Sequence, residues 1–292
     1  MDFITHISGD PSSNLTPLFL IHAISGLSMP YLHLQPLSRV NPYDGTISER
    51  PVYGINSPLY TTPDFQIPQT FQDLAELYVS ELSKSQPRGP YLLGGWSLGG
   101  IVALKMGQIL LDRGEVVPKI IMLDSPNPET FPPFQSDVEH EALTEATYNQ
   151  SVAHKLAYVG ADEDDDMATL TRKHIADSFL LYSNQAAATA TSDDDFFLSS
   201  PPEEQKEGKK RKLDTHVVLI KCRTALRIGE TVLLNRSAYM LGYMRDKLMN
   251  WDQNRFGVFE KMDFSGDHYG AFDEMFVDEL SHIFRVILRD VD

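Results

Sequence analysis

Short apolar runs alternate along the chain with longer stretches whose apolar residues recur at helical spacing. The apolar runs predict buried strands at residues 18–21, 51–55, 90–93, 119–123, 215–222 and 258–264. The periodic stretches predict helices over residues 68–84, 101–112 and 271–288. Because strands and helices alternate, the sequence predicts an α/β fold in which a mostly parallel sheet is flanked by helices.

Residues 127–214 interrupt this alternation, because they contain helical patches and little strand character. They predict a helical lid inserted into a single domain that spans residues 1–292. The second half of the lid combines few apolar residues with dense charge, so residues 187–212 are predicted to be disordered. The acidic runs at 162–166 and 193–195 are interpreted as solvated surface, not as metal ligands.

A serine motif lies between a predicted strand and a predicted helix. Gly95-Trp96-Ser97-Leu98-Gly99 follows the G-x-S-x-G pattern of a nucleophile elbow, a sharp turn that exposes the serine hydroxyl. The N-terminus of the following helix favours negative charge developing beside the serine. The motif predicts that Ser97 is the catalytic nucleophile, and a tight glycine-rich turn without chemistry is the alternative.

A serine nucleophile needs a base, and the position of His268 is the one that fits. His268 follows the last predicted strand and precedes the last predicted helix, where the base lies in α/β-hydrolases. His282 falls inside the final helix, whereas His140 and His174 fall in the predicted lid. The order of these residues predicts an α/β-hydrolase fold with His268 as its base.

The acid that orients the histidine is predicted from its place in the sheet. Asp124 directly follows the strand after the elbow helix, which favours it as the residue that fixes the tautomer of His268. Glu230 is a later candidate, and Asp267 adjoins His268 but would have to fold back on its neighbour. A turn-capping role before Pro126 is the non-catalytic interpretation of Asp124.

Two backbone N–H groups are predicted to form the oxyanion hole. One belongs to Leu98, and the other to Ile24 in the loop after the first predicted strand. Gly26 in the same loop lets the chain approach the reacting carbonyl, and His22 is interpreted as an anchor of the loop.

Composition and charge exclude several classes of function. The formal net charge of −16 opposes binding to nucleic acid, whose phosphates it would repel. No run approaches the ~18 apolar residues of a membrane span, and the N-terminus lacks a signal-peptide pattern. Cys222 is the single cysteine and is interpreted as a packed core thiol. We therefore expect a cytoplasmic protein with no metal and no membrane partner.

Three motifs give the sequence a resemblance to a known family. They are Leu-Leu-Gly-Gly-Trp-Ser-Leu-Gly-Gly at 92–100, Leu-Asp-Ser-Pro at 123–126 and Gly-Asp-His at 266–268. With these motifs the chain resembles the thioesterase domains of polyketide and non-ribosomal peptide synthases, from about residue 17 to the C-terminus except for 185–214. The initiator Met1 favours a freestanding form.

The resemblance implies Ser97, Asp124 and His268 as a catalytic triad beneath a helical lid. It implies an acyl carrier protein as partner, whose phosphopantetheine arm brings the substrate, so that no resident cofactor is expected. The expected reaction releases an acyl chain as a free acid through an acyl-Ser97 intermediate. An acyltransferase or cyclase, an editing thioesterase and a non-catalytic binding module are the alternatives. Lys209 to Lys212 is a candidate docking patch, or a nuclear-import signal.

Overall fold

In a computed structural model of the protein, the described residues include nine strands. The structure describes residues 2–62, 64–153, 165–191, 198, 212–224, 236 and 242–292. The strands are β1 (Ile4–Ser8), β2 (Leu18–Ile21), β3 (Ser38–Val40), β4 (Ile47–Glu49), β5 (Val52–Ile55), β6 (Leu92–Trp96), β7 (Lys119–Leu123), β8 (Leu213–Cys222) and β9 (Phe256–Phe264).

Seven of these strands form one sheet in the order β1-β5-β2-β6-β7-β8-β9. In this order, each strand from β5 through β2 to β9 pairs in parallel with the next one. β1 pairs antiparallel with β5 at the edge of the sheet. β3 and β4 form a separate antiparallel hairpin. The predicted α/β fold with a mostly parallel sheet is confirmed.

The helices are α1 (Phe71–Ser85), α2 (Leu98–Asp112), α3 (Asp137–Tyr148), α4 (Asp165–Thr191) and α5 (Val277–Ile287). A π-helical segment, Asn149–Ala153, continues α3. Thr70 caps α1, because its side chain accepts a hydrogen bond from the Asp73 N–H. We call α3 and α4 the lid helices, since they lie between β7 and β8 in the chain.

Each face of the sheet is covered by its own apolar layer. α1 and α2 pack on one face together with residues of the lid helices. α5 covers the other face with Leu280, Ile283, Phe284 and Ile287. Lys119 at the start of β7 is buried, and its Nζ donates to the Ile287 carbonyl at the end of α5. The sheet is therefore covered on both faces, as its parallel strands require.

The structure differs from the prediction at several elements. The last helix begins at Val277 and not at 271, because 271–276 form turns in which Asp273 N–H donates to Gly270 O. β1 and the β3–β4 hairpin were not predicted, since they are short and half exposed. The alanine-rich segment from Ala187 to Thr191 is helical, as its propensity favours.

The predicted disorder over 187–212 therefore fails at its first five residues. Leu198 is described by itself and is buried. Residues 192–197 and 199–211, including most of the basic run, lie outside the described residues. The single-domain assignment and the lid boundaries at 127 and 214 stay predictions.

Candidate active site

Ser97 lies in a strained turn between β6 and α2. Its φ of 56° and ψ of −118° lie where a side chain is unfavourable, and such strain costs on the order of 1–3 kcal/mol. The Ser97 N–H donates to Leu123 O over 2.8 Å, which ties the turn to β7. A Cβ on Gly95 would lie 2.3 Å from the Gly99 carbonyl carbon, so only glycine allows this close crossing. The predicted elbow is confirmed in geometry.

Asp124 and His268 are joined by a hydrogen bond. The distance from His268 Nδ1 to Asp124 Oδ2 is 2.7 Å, and both side chains are buried. The other carboxylate oxygen, Oδ1, accepts the Cys222 N–H over 3.0 Å. Asp124 has a φ of 47°, and its own N–H donates to Ile220 O. Contacts from the neighbouring strand thus hold the carboxylate in one orientation.

The imidazole of His268 is also held by aromatic rings. Its centroid lies 5.7 Å from the Trp96 ring and 5.1 Å from the Tyr269 ring. Because Asp124 is an acceptor, Nδ1 carries the proton and Nε2 is left to accept one. Ser97 and His268 line the same cleft, so the nucleophile and its predicted base face one space.

Asp267, the alternative acid within the described residues, is engaged in its own turn. Asp267 Oδ1 accepts the N–H groups of Tyr269 and Gly270, and so closes its own turn. Glu230 lies outside the described residues. Of the two candidate acids that the structure describes, Asp124 and Asp267, it is Asp124 that hydrogen-bonds the imidazole.

The predicted oxyanion donors lie on either side of the serine. Leu98 is the first residue of α2, where backbone N–H groups point out of the helix. Ile24 lines the cleft beside Ser97. Its loop is closed by the Gly26 N–H, which donates to Ala23 O, and Gly26 has the positive φ (82°) that this turn needs. The roles of Ile24 and Leu98 stay predictions.

The cleft above Ser97 is largely apolar, has a cavity volume of about 60 Å³, and five of its twelve lining residues are Phe or Tyr. The lid helices supply Leu143 and Thr147 from α3, and Phe179 and Tyr182 from α4. Residues outside the lid helices complete its wall: Ile24, Pro126, Asn127, Phe131, Tyr243 and Tyr269. An apolar lining of this kind is typical of sites that bind apolar groups.

Sequence reasoning missed Tyr31, which connects β2 to β6 next to the elbow. Its hydroxyl donates to Ile21 O over 2.6 Å and accepts the Trp96 N–H over 2.9 Å. Burial raises the pKa of Tyr31, so the hydroxyl stays protonated and can serve both contacts. A tyrosine in a short 3₁₀ helix (Met29–His33) carries no motif, so no sequence signal marks this role.

Cys222 is a core thiol, as the sequence predicted. Burial, with the Asp124 carboxylate as a second cause, raises the pKa of its thiol. The thiol therefore stays protonated and unreactive at neutral pH. Its backbone, and not its sulfur, serves the site through the hydrogen bond to Asp124.

Two buried histidines lie beside the Ile24 loop. His22 Nδ1 donates to Ala23 O over 2.7 Å, and its Nε2 accepts the Tyr78 hydroxyl over 2.5 Å. Its ring centroid is 5.0 Å from that of His174 on α4. Burial lowers the pKa of His22 to about 3 and that of His174 to about 4. Both rings are therefore neutral at physiological pH.

We expect these histidines to make the protein less stable as the pH falls from about 6.5 to about 4. In this window the unfolded histidines bind protons and the folded ones do not, so unfolding takes up protons. His174→Asn should flatten the dependence of the unfolding free energy on pH by up to about 1.4 kcal/mol per pH unit. Urea denaturation across this range measures it.

The matched control is His282→Asn, which alters an exposed histidine on α5. It measures how far replacement of an exposed histidine by asparagine changes the unfolding free energy at each pH, and that change is subtracted. Equal slopes for His174→Asn and wild type would contradict the assignment of a lowered pKa to His174.

Among the residues that the structure describes, no group of three or more His, Cys, Asp or Glu side chains is arranged to hold a metal ion. Within the same ranges, every helix is too short or too polar to cross a bilayer.

Comparison with known proteins places the chain among thioesterases. The family model described as thioesterase domain matches residues 16–287. Thioesterase pytI of Aspergillus terreus is 34% identical over 313 residues, which cover 100% of both chains. Thioesterase pynI of Aspergillus niger is 33% identical over 321 residues and 99% of both chains. Non-reducing polyketide synthase PFUR17_0229 of Pseudevernia furfuracea is 40% identical over 44% of this chain, which is 6% of the synthase.

A solved structure has the same fold. The NocB thioesterase domain, in covalent complex with a fluorophosphonate nocardicin G analog, superposes with a TM-score of 0.62. The alignment covers 98% of this chain and 99% of that domain at 21% identity. At this identity the likeness establishes the fold alone.

Proposed function

Because the chain belongs to the thioesterase domain family, and is therefore a thioester hydrolase of the serine type, we propose that Ser97, His268 and Asp124 are its catalytic triad. The observation that carries this proposal is the 2.7 Å hydrogen bond from His268 to Asp124 beside the strained elbow serine. A buried carboxylate that fixes an imidazole next to a nucleophile is the arrangement that serine hydrolysis requires.

The first half of the reaction forms an acyl enzyme. His268 Nε2 takes the proton of the Ser97 hydroxyl as Oγ attacks the thioester carbonyl carbon. The N–H groups of Leu98 and Ile24 donate to the oxyanion, and each such donor is worth roughly 10²–10³ in rate. The carbon–sulfur bond then breaks, and the departing thiolate receives the proton from His268.

The second half releases the acyl chain. A water molecule gives its proton to His268 Nε2 and attacks the acyl-Ser97 ester carbonyl. Collapse of this second intermediate returns the proton to Ser97 Oγ and frees a carboxylic acid. Asp124 keeps its hydrogen bond to Nδ1 throughout and stabilises the imidazolium that forms twice.

We propose that the substrate is a polyketide or peptide-like acyl chain on an acyl carrier protein in secondary-metabolite biosynthesis. Two observations support this: a relative is a non-reducing polyketide synthase, and the cleft is lined by aromatic side chains. The phosphopantetheine arm would come from the carrier protein, so the thioesterase itself needs no bound cofactor.

The apolar lining favours a second outcome for the same acyl enzyme. Phe131, Phe179 and Tyr182 surround the space next to Ser97, and such a wall excludes water. An internal hydroxyl or carbon nucleophile, or an added alcohol, would then take the acyl group. The product in that case is a ring or an ester, and the enzyme is a cyclase or acyltransferase.

Intact-mass spectrometry with a panel of acyl-pantetheine thioesters tests the proposal. We expect an acyl adduct on the wild type and none on Ser97→Ala, with free acid released. An adduct that resists water but yields a ring or ester would move the assignment to a cyclase or acyltransferase. Absence of adduct and product, also with acyl carrier protein as donor, would favour a non-catalytic binding module.

A further inference from the structure

The lid helix α4 reaches the loop that carries the proposed oxyanion donor Ile24. His174 on α4 is 98% buried, and its Nδ1 lies 2.8 Å from Ile24 O. Since a carbonyl oxygen can only accept, Nδ1 carries the proton and donates it to Ile24. This bond joins residues 150 positions apart and directly connects the lid to the oxyanion loop.

A second contact from α4 holds the next carbonyl in the same loop. The Tyr60 hydroxyl hydrogen-bonds Ser25 O and lies 3.2 Å from Thr171 Oγ1 on α4. Thr171 is buried and lies one helical turn before His174. The Ile24 carbonyl is thus held by a side chain of α4. The Ser25 carbonyl is held by Tyr60, whose hydroxyl also contacts α4.

The loop also packs directly against the His174 ring. A Cβ on Gly26 would lie 2.6 Å from His174 Cδ2 and 2.8 Å from Tyr60 Cε2. The Tyr60 and His174 rings stack with their centroids 6.3 Å apart. The loop is therefore in close contact with α4 at Gly26.

We propose that His174 is a positioning residue that makes the oxyanion hole depend on the seating of the lid. With α4 in place, the His174 bond holds the Ile24–Ser25 peptide, and this restricts rotation of the adjoining Ala23–Ile24 peptide, which carries the Ile24 N–H. With α4 displaced, the Ile24 N–H no longer points at the oxyanion, and acylation of Ser97 slows. This inference rests on the proposed function, because it assumes that Ile24 stabilises the oxyanion during acyl transfer.

The ring of His174 suits this task because it is a neutral donor. Burial lowers its pKa to about 4, so it donates from Nδ1 without bringing a charge beside Ile24. The hydroxyl oxygen of Ser178, one turn further along α4, lies 3.3 Å from the same nitrogen. His174 is thus held from its own helix while it contacts the loop.

Two substitutions of His174 separate positioning from packing. His174→Leu removes the donor, whereas the side-chain amide of His174→Asn puts a donor nitrogen near the place of Nδ1. We expect His174→Leu to slow single-turnover acylation of Ser97 roughly 10- to 100-fold with little change in KM, because a misaimed donor acts on the transition state. His174→Asn should recover most of the rate.

The affinities of two inhibitors separate positioning from a purely structural role, because a structural role would change both affinities alike. The probes are the trifluoromethyl ketone and the thioether analogue of the acyl-pantetheine that the wild type hydrolyses fastest. The ketone forms an oxyanion on Ser97 and the thioether does not. We expect His174→Leu to weaken ketone binding by the factor lost in acylation, and to leave thioether binding unchanged. Lys173→Ala, on the same helix and paired only with Asp177 among the described residues, should resemble the wild type.

The outcomes distinguish this inference from the proposed function. If Ser97→Ala still hydrolyses thioesters, both the proposed function and the positioning role of His174 are wrong. If the wild type and His174→Leu are acylated on Ser97 at the same rate, only the positioning role of His174 is wrong. It also falls if the ketone and the thioether weaken equally, or if His174→Asn is as slow as His174→Leu.

Discussion

Ser97→Ala is expected to lower kcat by roughly 10⁶-fold, because loss of the nucleophile removes the covalent route entirely. The residual rate should come from substrate binding and the oxyanion donors alone. Steady-state hydrolysis of an acyl-pantetheine, followed by release of free thiol, measures this loss. A variant that keeps appreciable turnover would show that the nucleophile is another residue.

The stability of the same variant is an internal control. Alanine keeps a Cβ at the φ of 56°, so the strain at the elbow and the Tm should remain close to the wild-type values. Ser97→Gly removes that Cβ and is equally inactive, yet it should raise the Tm. A folded and stable but inactive pair of variants separates loss of chemistry from loss of structure.

Asp124→Asn is expected to lower kcat by roughly 10⁴-fold. The Cys222 N–H requires an acceptor at Oδ1, so the new amide oxygen stays there and the NH₂ group faces His268. His268 Nδ1 must then accept, the proton moves to Nε2, and the ring can no longer take the proton of Ser97. The same hydrolysis assay measures the effect.

Asp267→Asn is the matched comparison, because it changes the neighbour of His268 in sequence. Its carboxylate closes a local turn through Tyr269 and Gly270, so the expected cost is in stability more than in kcat. A larger loss of kcat for Asp267→Asn than for Asp124→Asn would reverse the assignment of the acid.

The sequence predicted those parts of the molecule whose signals are local. The elbow follows from glycine spacing between an apolar strand and an apolar helix, and β7 was predicted at its observed bounds. Asp124 and His268 follow from chain order, because the carboxyl ends of parallel strands meet at one edge of the sheet. Their pairing was therefore predictable before any distance was known.

Contacts between distant segments were not predictable in this way. His174 was assigned to the lid and given no role, since nothing in a helical sequence shows that one ring reaches a carbonyl 150 positions away. Tyr31 was missed for the same reason. Residues 187–191 are helical, but the sequence predicts disorder for them because the charged residues that follow dominate the composition of 187–212.

The hydrogen bond between Asp124 and His268 spans 144 positions of the chain, and this has a consequence for biosynthesis of the enzyme. While the polypeptide is still being made, Ser97 and Asp124 emerge long before the loop that carries His268. β9 must dock on β8 before the imidazole can meet its carboxylate. A ribosome-bound chain therefore carries the proposed nucleophile without its proposed base, and the proposed triad is complete only after the last strand has formed.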